Sequence, residues 1–198
     1  MKHLLALIAL IGFTAATFAA DIGKPAPDFT GTDITGKTIK LADYKGKIVV
    51  LESYNSDCPF CANHYGSGAA QELQKELTGK GVVWLLVNSV STKNSSHRTA
   101  AEAQKEWAEK KIAATAWIDD AEGTIGHLYE MKTTPHTFVI AADGTLAYDG
   151  AMDNNAKPFG DPRKAKNYVR NAVEELIAGK PVTDSKTKPY GCAVHYAN

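Results

Sequence analysis

Two cysteines separated by two residues, Cys58 and Cys61 with Pro59 and Phe60 between them, are the side chains in this chain best suited to covalent chemistry. A bridge between them closes a very small loop, and the chain-entropy gain from a disulfide shrinks with the loop it closes. Such a pair serves reactivity better than stapling. One thiolate attacks a disulfide sulfur and the second thiol displaces the product. His64 follows at the same interval, which leaves a metal clip of Cys58, Cys61 and His64 open as a second chemistry. A tetrahedral zinc site needs a fourth ligand, and no second ligand pair at zinc spacing is visible, so no metal is expected. Haem attachment requires histidine directly after the second cysteine, where Ala62 stands.

A nucleophilic Cys58 has to be held as a thiolate, and the flanking sequence supplies the means. Ile48 to Tyr54 is β-branched and apolar, as a buried strand is. Beyond Cys58 the pattern turns helical, with Leu73 and Leu77 four apart and Gly79 or Gly81 as the stop. Cys58 therefore falls where a strand gives way to a helix. Unpaired N–H groups and the positive dipole end there stabilise a thiolate, drawing its pKa from about 8.5 into a range of roughly 3.5–7.5. Pro59 fits the first helical turn, where its missing N–H has no partner to lose. Cys61, a turn further in, is expected to be more buried and placed to resolve a mixed disulfide.

The remaining elements follow from the same patterns. A proline-punctuated entry from Lys24 to Phe29 precedes a turn at Thr35-Gly36-Lys37 and a short strand from Thr38 to Leu41. Val82 to Val87 is apolar on both faces, as parallel strands are. A serine-rich loop leads to a helix near Thr99 to Lys110, a strand at Ala116 to Ile118 and a short helix from Thr124 to Tyr129. Thr137 to Ile140 and Thr145 to Tyr148 flank Asp143-Gly144, a hairpin signal. A last helix is expected from Pro162 to Ala178, stopped by Gly179 and Pro181, before a tail to Asn198. This order predicts an α/β fold, a central mixed sheet with helices on both faces.

Lysine plus arginine and aspartate plus glutamate each number 22 among 198 residues. That balance gives no reason to expect a nucleic acid or an anionic membrane surface as partner. Lys2 and His3, the apolar run Leu4 to Phe13 and the small residues up to Ala20 have the order of a secretory signal peptide. Cleavage is expected after Ala19, leaving residues 20–198 as one domain, periplasmic or secreted. An uncleaved membrane anchor is the alternative. An exported chain can keep a disulfide.

Ile22-Gly23-Lys24-Pro25-Ala26-Pro27-Asp28-Phe29, Gly46-Lys47-Ile48-Val49-Val50-Leu51, Asp57-Cys58-Pro59-Phe60-Cys61 and Thr133-Thr134-Pro135-His136-Thr137-Phe138 occur in one order along the chain. Together they resemble TlpA-like and peroxiredoxin-like members of the thioredoxin-fold redoxin family. The resemblance covers nearly all of residues 20–198. It implies a thioredoxin-like fold with an N-terminal β extension and a C-terminal tail, and thiol–disulfide exchange with protein thiols and disulfides and a further redox partner, with no cofactor beyond the Cys58–Cys61 disulfide. It assigns Pro135 as a cis-proline beside the cysteines, Thr134, Pro59 and Phe60 as substrate-facing, and Glu52 as a buried carboxylate relaying a proton to Cys61. A solvent-facing Glu52 at the strand edge is the competing reading.

Peroxide reduction is the rival activity. Peroxiredoxin-like relatives carry threonine three residues before the reactive cysteine; Asn55 stands there. Cys192, in Pro189-Tyr190-Gly191-Cys192, is left with three readings: a third redox cysteine, an alternative disulfide partner of Cys58, or a thiol without chemistry. His136 and His195 are taken as incidental.

Overall fold

In the computed structural model, described for residues 20–197, the strands are β1 (Thr30–Asp33), β2 (Thr38–Lys40), β3 (Val49–Ser53), β4 (Val83–Asn88), β5 (Ala116–Asp119), β6 (Thr133–Thr134), β7 (His136–Ile140), β8 (Leu146–Gly150) and β9 (Cys192–Ala193). The helices are α1 (Pro59–Gly66), α2 (Ala69–Gly79), α3 (Ala100–Glu109), α4 (Thr124–Leu128) and α5 (Tyr168–Ile177). The segment read as a signal peptide, residues 1–19, lies outside the described residues.

Seven strands form one sheet in the order β2-β1-β5-β4-β3-β7-β8. The β3–β4 and β4–β5 pairs are parallel and all others antiparallel. It is the mixed sheet that the sequence implied. Strand alternation sorts the core into two layers. Val50, Trp84, Leu86 and Val139 pack under α1, α2 and α5. Val49, Leu51, Leu85 and Phe138 pack on the other face with Ile125 and Tyr129 of the α4 region. Glu52 is two residues from Val50 on β3, so it points towards the α1 side, where the cysteines are.

Two expectations change, and two features are added. The helix after Cys58 is two helices, because Gly68 takes a left-handed conformation at φ 81° and starts a new one. The helix expected from Pro162 begins at Tyr168. A short 3-10 turn at Pro162–Lys164 runs into extended backbone at Ala165, and the Asn167 side chain caps the new start by accepting from Arg170 N at 2.7 Å. Thr30–Asp33 is a full strand although its sequence, Thr-Gly-Thr-Asp, carries no apolar alternation. Gly31 is required there: a Cβ would lie 2.6 Å from Ile118 of the adjacent strand. The tail folds back onto the domain. Its β9 pairs antiparallel with β6 as a second, two-stranded sheet.

Candidate active site

Cys58 is the N-cap of α1, with Pro59 in the first turn. Its backbone N–H donates to Asn55 O at 3.1 Å, which turns the chain from β3 into the helix. Cys58 and Cys61 are both 1% exposed. The Thr134–Pro135 peptide bond is cis, and it sets the Thr134 carbonyl 2.8 Å from Cys58 Sγ, where it accepts from the protonated thiol.

The two thiols of the pair are driven apart in acidity. The Cys61 thiol is the largest influence holding Cys58 down, to about 4, while burial opposes it; the Cys192 thiol, the Thr134 hydroxyl and the Cys61 backbone N–H add to the lowering. Cys61 is pushed well above the usual thiol range by full burial and by the negative charges of Cys58 and Glu52. One sulfur is thereby an anion at neutral pH and its neighbour a protonated thiol.

Glu52 is fully buried and does not face solvent. Its Oε2 accepts from Trp84 Nε1 at 2.9 Å and from the Tyr65 hydroxyl at 2.9 Å, and that hydroxyl accepts in turn from Gln74 Nε2 at 2.8 Å. Burial raises the carboxyl to about 7 against those three hydrogen-bonding groups. Oε1 has no partner, so one oxygen is free to carry a proton.

The tail completes the site. Cys192 Sγ lies 3.0 Å from Cys58 Sγ, and Cys192 pairs with Thr134 in the β6–β9 ladder. Gly191, at φ 132°, passes so close to the Thr134 carbonyl that no Cβ fits between them. The Tyr190 ring lies 5.7 Å from the Phe60 ring, and its hydroxyl donates to Asp153 Oδ1 at 2.5 Å. With that proton committed, His64 Nε2 is the donor to the Tyr190 oxygen at 3.2 Å. Burial lowers the His64 pKa, so the ring stays neutral at pH 7.

Of the residues expected at the site, Cys58, Cys61, Thr134, Pro135, Phe60 and Cys192 converge, Pro59 is exposed beside them and Glu52 sits beneath Cys61's end of the pair. His64 is engaged with the tail. Among the described residues, no group of three or more His, Cys, Asp or Glu side chains is arranged to hold a metal ion. His136 is buried, with Nε2 2.7 Å from Asp149 Oδ1; His195 is exposed. Tyr190 and Asp153 were not singled out from sequence. For Tyr190 the signal was its place beside Gly191-Cys192; Asp153, in the loop after β8, carried none.

A model of the AhpC/TSA family matches residues 22–149. The thiol-disulfide oxidoreductase ResA of Geobacillus kaustophilus is 30% identical over 149 residues, covering 72% of this chain and 80% of that one. A hypothetical protein of Sinorhizobium meliloti superposes with a TM-score of 0.77 at 20% identity, over 91% of this chain and 97% of that one. The exposed lipoprotein thioredoxin of Streptococcus pneumoniae superposes with a TM-score of 0.51 at 20% identity, over 75% and 99%.

Proposed function

The chain belongs to the AhpC/TSA family and is a thiol–disulfide oxidoreductase on a thioredoxin-like fold; from that premise we propose that it exchanges disulfides with protein substrates outside the cytoplasm through Cys58 and Cys61. The observation that carries the reading is the placement of the two thiols, Cys58 at the head of α1 and Cys61 buried a turn behind it, which holds the first low in pKa and pushes the second up. The Cys58 thiolate attacks a substrate disulfide; a bond forms to one substrate sulfur and the other leaves as a thiolate. Cys61 then gives its proton to Glu52, attacks Cys58 Sγ and expels the second substrate thiolate. The substrate gains two electrons and the cysteine pair becomes the disulfide. The reverse order oxidises a dithiol. The electrons reside in sulfur–sulfur bonds, so the scheme needs no further cofactor. In this reading Pro59 and Phe60 face the substrate beside the reacting sulfur, while Thr134, buried under β9, is reached once the tail has moved, with Pro135 next to it.

Export is supported by the order of basic, apolar and small residues in positions 1–19. Among the described residues no helix is long and apolar enough to cross a membrane. Insulin-disulfide reduction tests the proposal. Cys58→Ser is expected to lose turnover, and the double variant Cys61→Ser/Cys192→Ser, which keeps Cys58 as the sole thiol, to accumulate a mixed disulfide; turnover surviving in Cys58→Ser, or peroxidase turnover exceeding disulfide exchange, would overturn it.

A further inference from the structure

We propose that Cys192 is a third redox thiol, and that the oxidised protein rests with a Cys58–Cys192 disulfide strapping the tail across the site. The inference rests on the reading of Cys58 as the nucleophile.

The two sulfurs are 134 positions apart in the chain and 3.0 Å apart in space. That approach is built at several points. Strand β9 pairs with β6 next to the reacting sulfur, Gly191 admits the tail against the Thr134 carbonyl, and Tyr190 is held by Asp153 and His64. Further out, Tyr196 donates to Met131 O at 2.7 Å and Ser91 N donates to His195 O at 2.8 Å. A segment fixed on both sides of Cys192 delivers its thiol to one place.

The same contacts close the site. Cys58 is 1% exposed with the tail seated, so a protein disulfide reaches it only after the tail has moved. When the tail returns, Cys192 is the thiol nearest to Cys58 on the substrate's side. It attacks Cys58 Sγ in the Cys58–Cys61 disulfide, forming Cys58–Cys192 and breaking the bond to Cys61. Cys61 leaves as a thiolate and takes a proton from Glu52, and the Cys192 proton passes to solvent. One sulfur–sulfur bond is made and one is lost, so no oxidant is needed beyond the substrate disulfide that made the first bond. The reverse attack by Cys61 releases the strap.

Full-length Cys61→Ser, with Cys61→Ala as a second variant in case the buried hydroxyl harms folding, is treated with oxidised glutathione, quenched in acid and weighed intact. The expected result is loss of both remaining thiols with no glutathione retained, because Cys192 displaces glutathione from Cys58. A persisting glutathione adduct on Cys58 with Cys192 free would overturn the inference while leaving the nucleophile intact. An unmodified Cys58 would overturn both readings. In the parent, oxidised in the same way, the tryptic fragment Ile48–Lys75 is expected joined to Thr187–Asn198; a bridge confined to Ile48–Lys75 would overturn the strap as the resting form.

Discussion

Trp84 donates its indole N–H to Glu52 Oε2 across the parallel β3–β4 pair, from the position opposite Val50 rather than opposite Glu52 itself. The carboxylate is thus reached diagonally along one face of the sheet, and Tyr65 of α1 reaches the same oxygen from the helix layer. Sheet and helix together hold this acid beneath the cysteines.

Trp84→Phe removes that donor while keeping an aromatic ring in place. A hydrogen bond to a charged group is worth about 1.5–3 kcal/mol, so the Glu52 carboxyl is expected to rise about one to two pH units. The rate at which Cys61 resolves a mixed disulfide, followed by rapid quench over a pH series, should show its rise displaced upward. An unchanged profile would remove Glu52 from the proton path.

Glu52→Gln separates stability from chemistry. Unfolded, the carboxyl titrates near 4.5; folded, it is raised to about 7. The protonated form is favoured by folding, so the contribution of this group is full below 4.5 and is lost as pH rises through 7. The loss is about 3 kcal/mol. Denaturant unfolding above pH 7 should therefore find Glu52→Gln more stable than the parent, the two converging below pH 4.5. Resolution of mixed disulfides should slow at the same time. A variant less stable at high pH would contradict this electrostatic account.

The low pKa of Cys58 has a consequence for direction. A folded protein that stabilises the thiolate stabilises its reduced form and becomes a stronger oxidant. Equilibration with glutathione is expected to give the protein a potential well above the roughly −270 mV of thioredoxin, towards the roughly −120 mV of strong oxidants. Ultraviolet absorbance of the thiolate should persist on acidification until about pH 4. A sulfur that protonates near 8 would refute both expectations.

Tyr190→Phe leaves the ring against Phe60 and deletes the hydroxyl between His64 and Asp153. A buried acceptor left without its donor costs about 1–3 kcal/mol, here charged to the seating of the tail. Alkylation of Cys58 in the reduced protein is expected to accelerate about 5-fold or more by this measure, with faster amide exchange over the tail and no change in global unfolding. Equal alkylation rates would show that the hydroxyl does not hold the tail.

The parts legible in the sequence are those where one physical signal acts alone. Val49–Ser53 and Val83–Asn88 are apolar on both faces and were read within a residue or two, and Thr99 with Glu102 forms the capping box that starts α3. Cys58 at a strand–helix junction was legible from the junction itself. Thr30–Asp33 was not, because its strand character comes from close approach to β5 rather than from its own side chains. Gly68 broke a helix whose apolar spacing continues across it. The pairing of β9 with β6 depends on two residues at each end of a long separation, and the burial of Asp153 depends on a loop and a tail that meet only in three dimensions.

Upstream of Cys192, residues 185–187 lie along β8, one of the two outer strands of the large sheet: Asp149 N donates to Ser185 O at 3.0 Å and Thr187 N to Asp149 O at 3.1 Å. Unpaired outer strands invite pairing with other molecules, and this stretch occupies that margin. Truncating the protein before residue 185 would therefore do more than remove a thiol. It would bare the backbone donor and acceptor of Asp149 on β8 and open that border to pairing with another strand, so that self-association as well as redox behaviour depends on the segment from residue 185 onward.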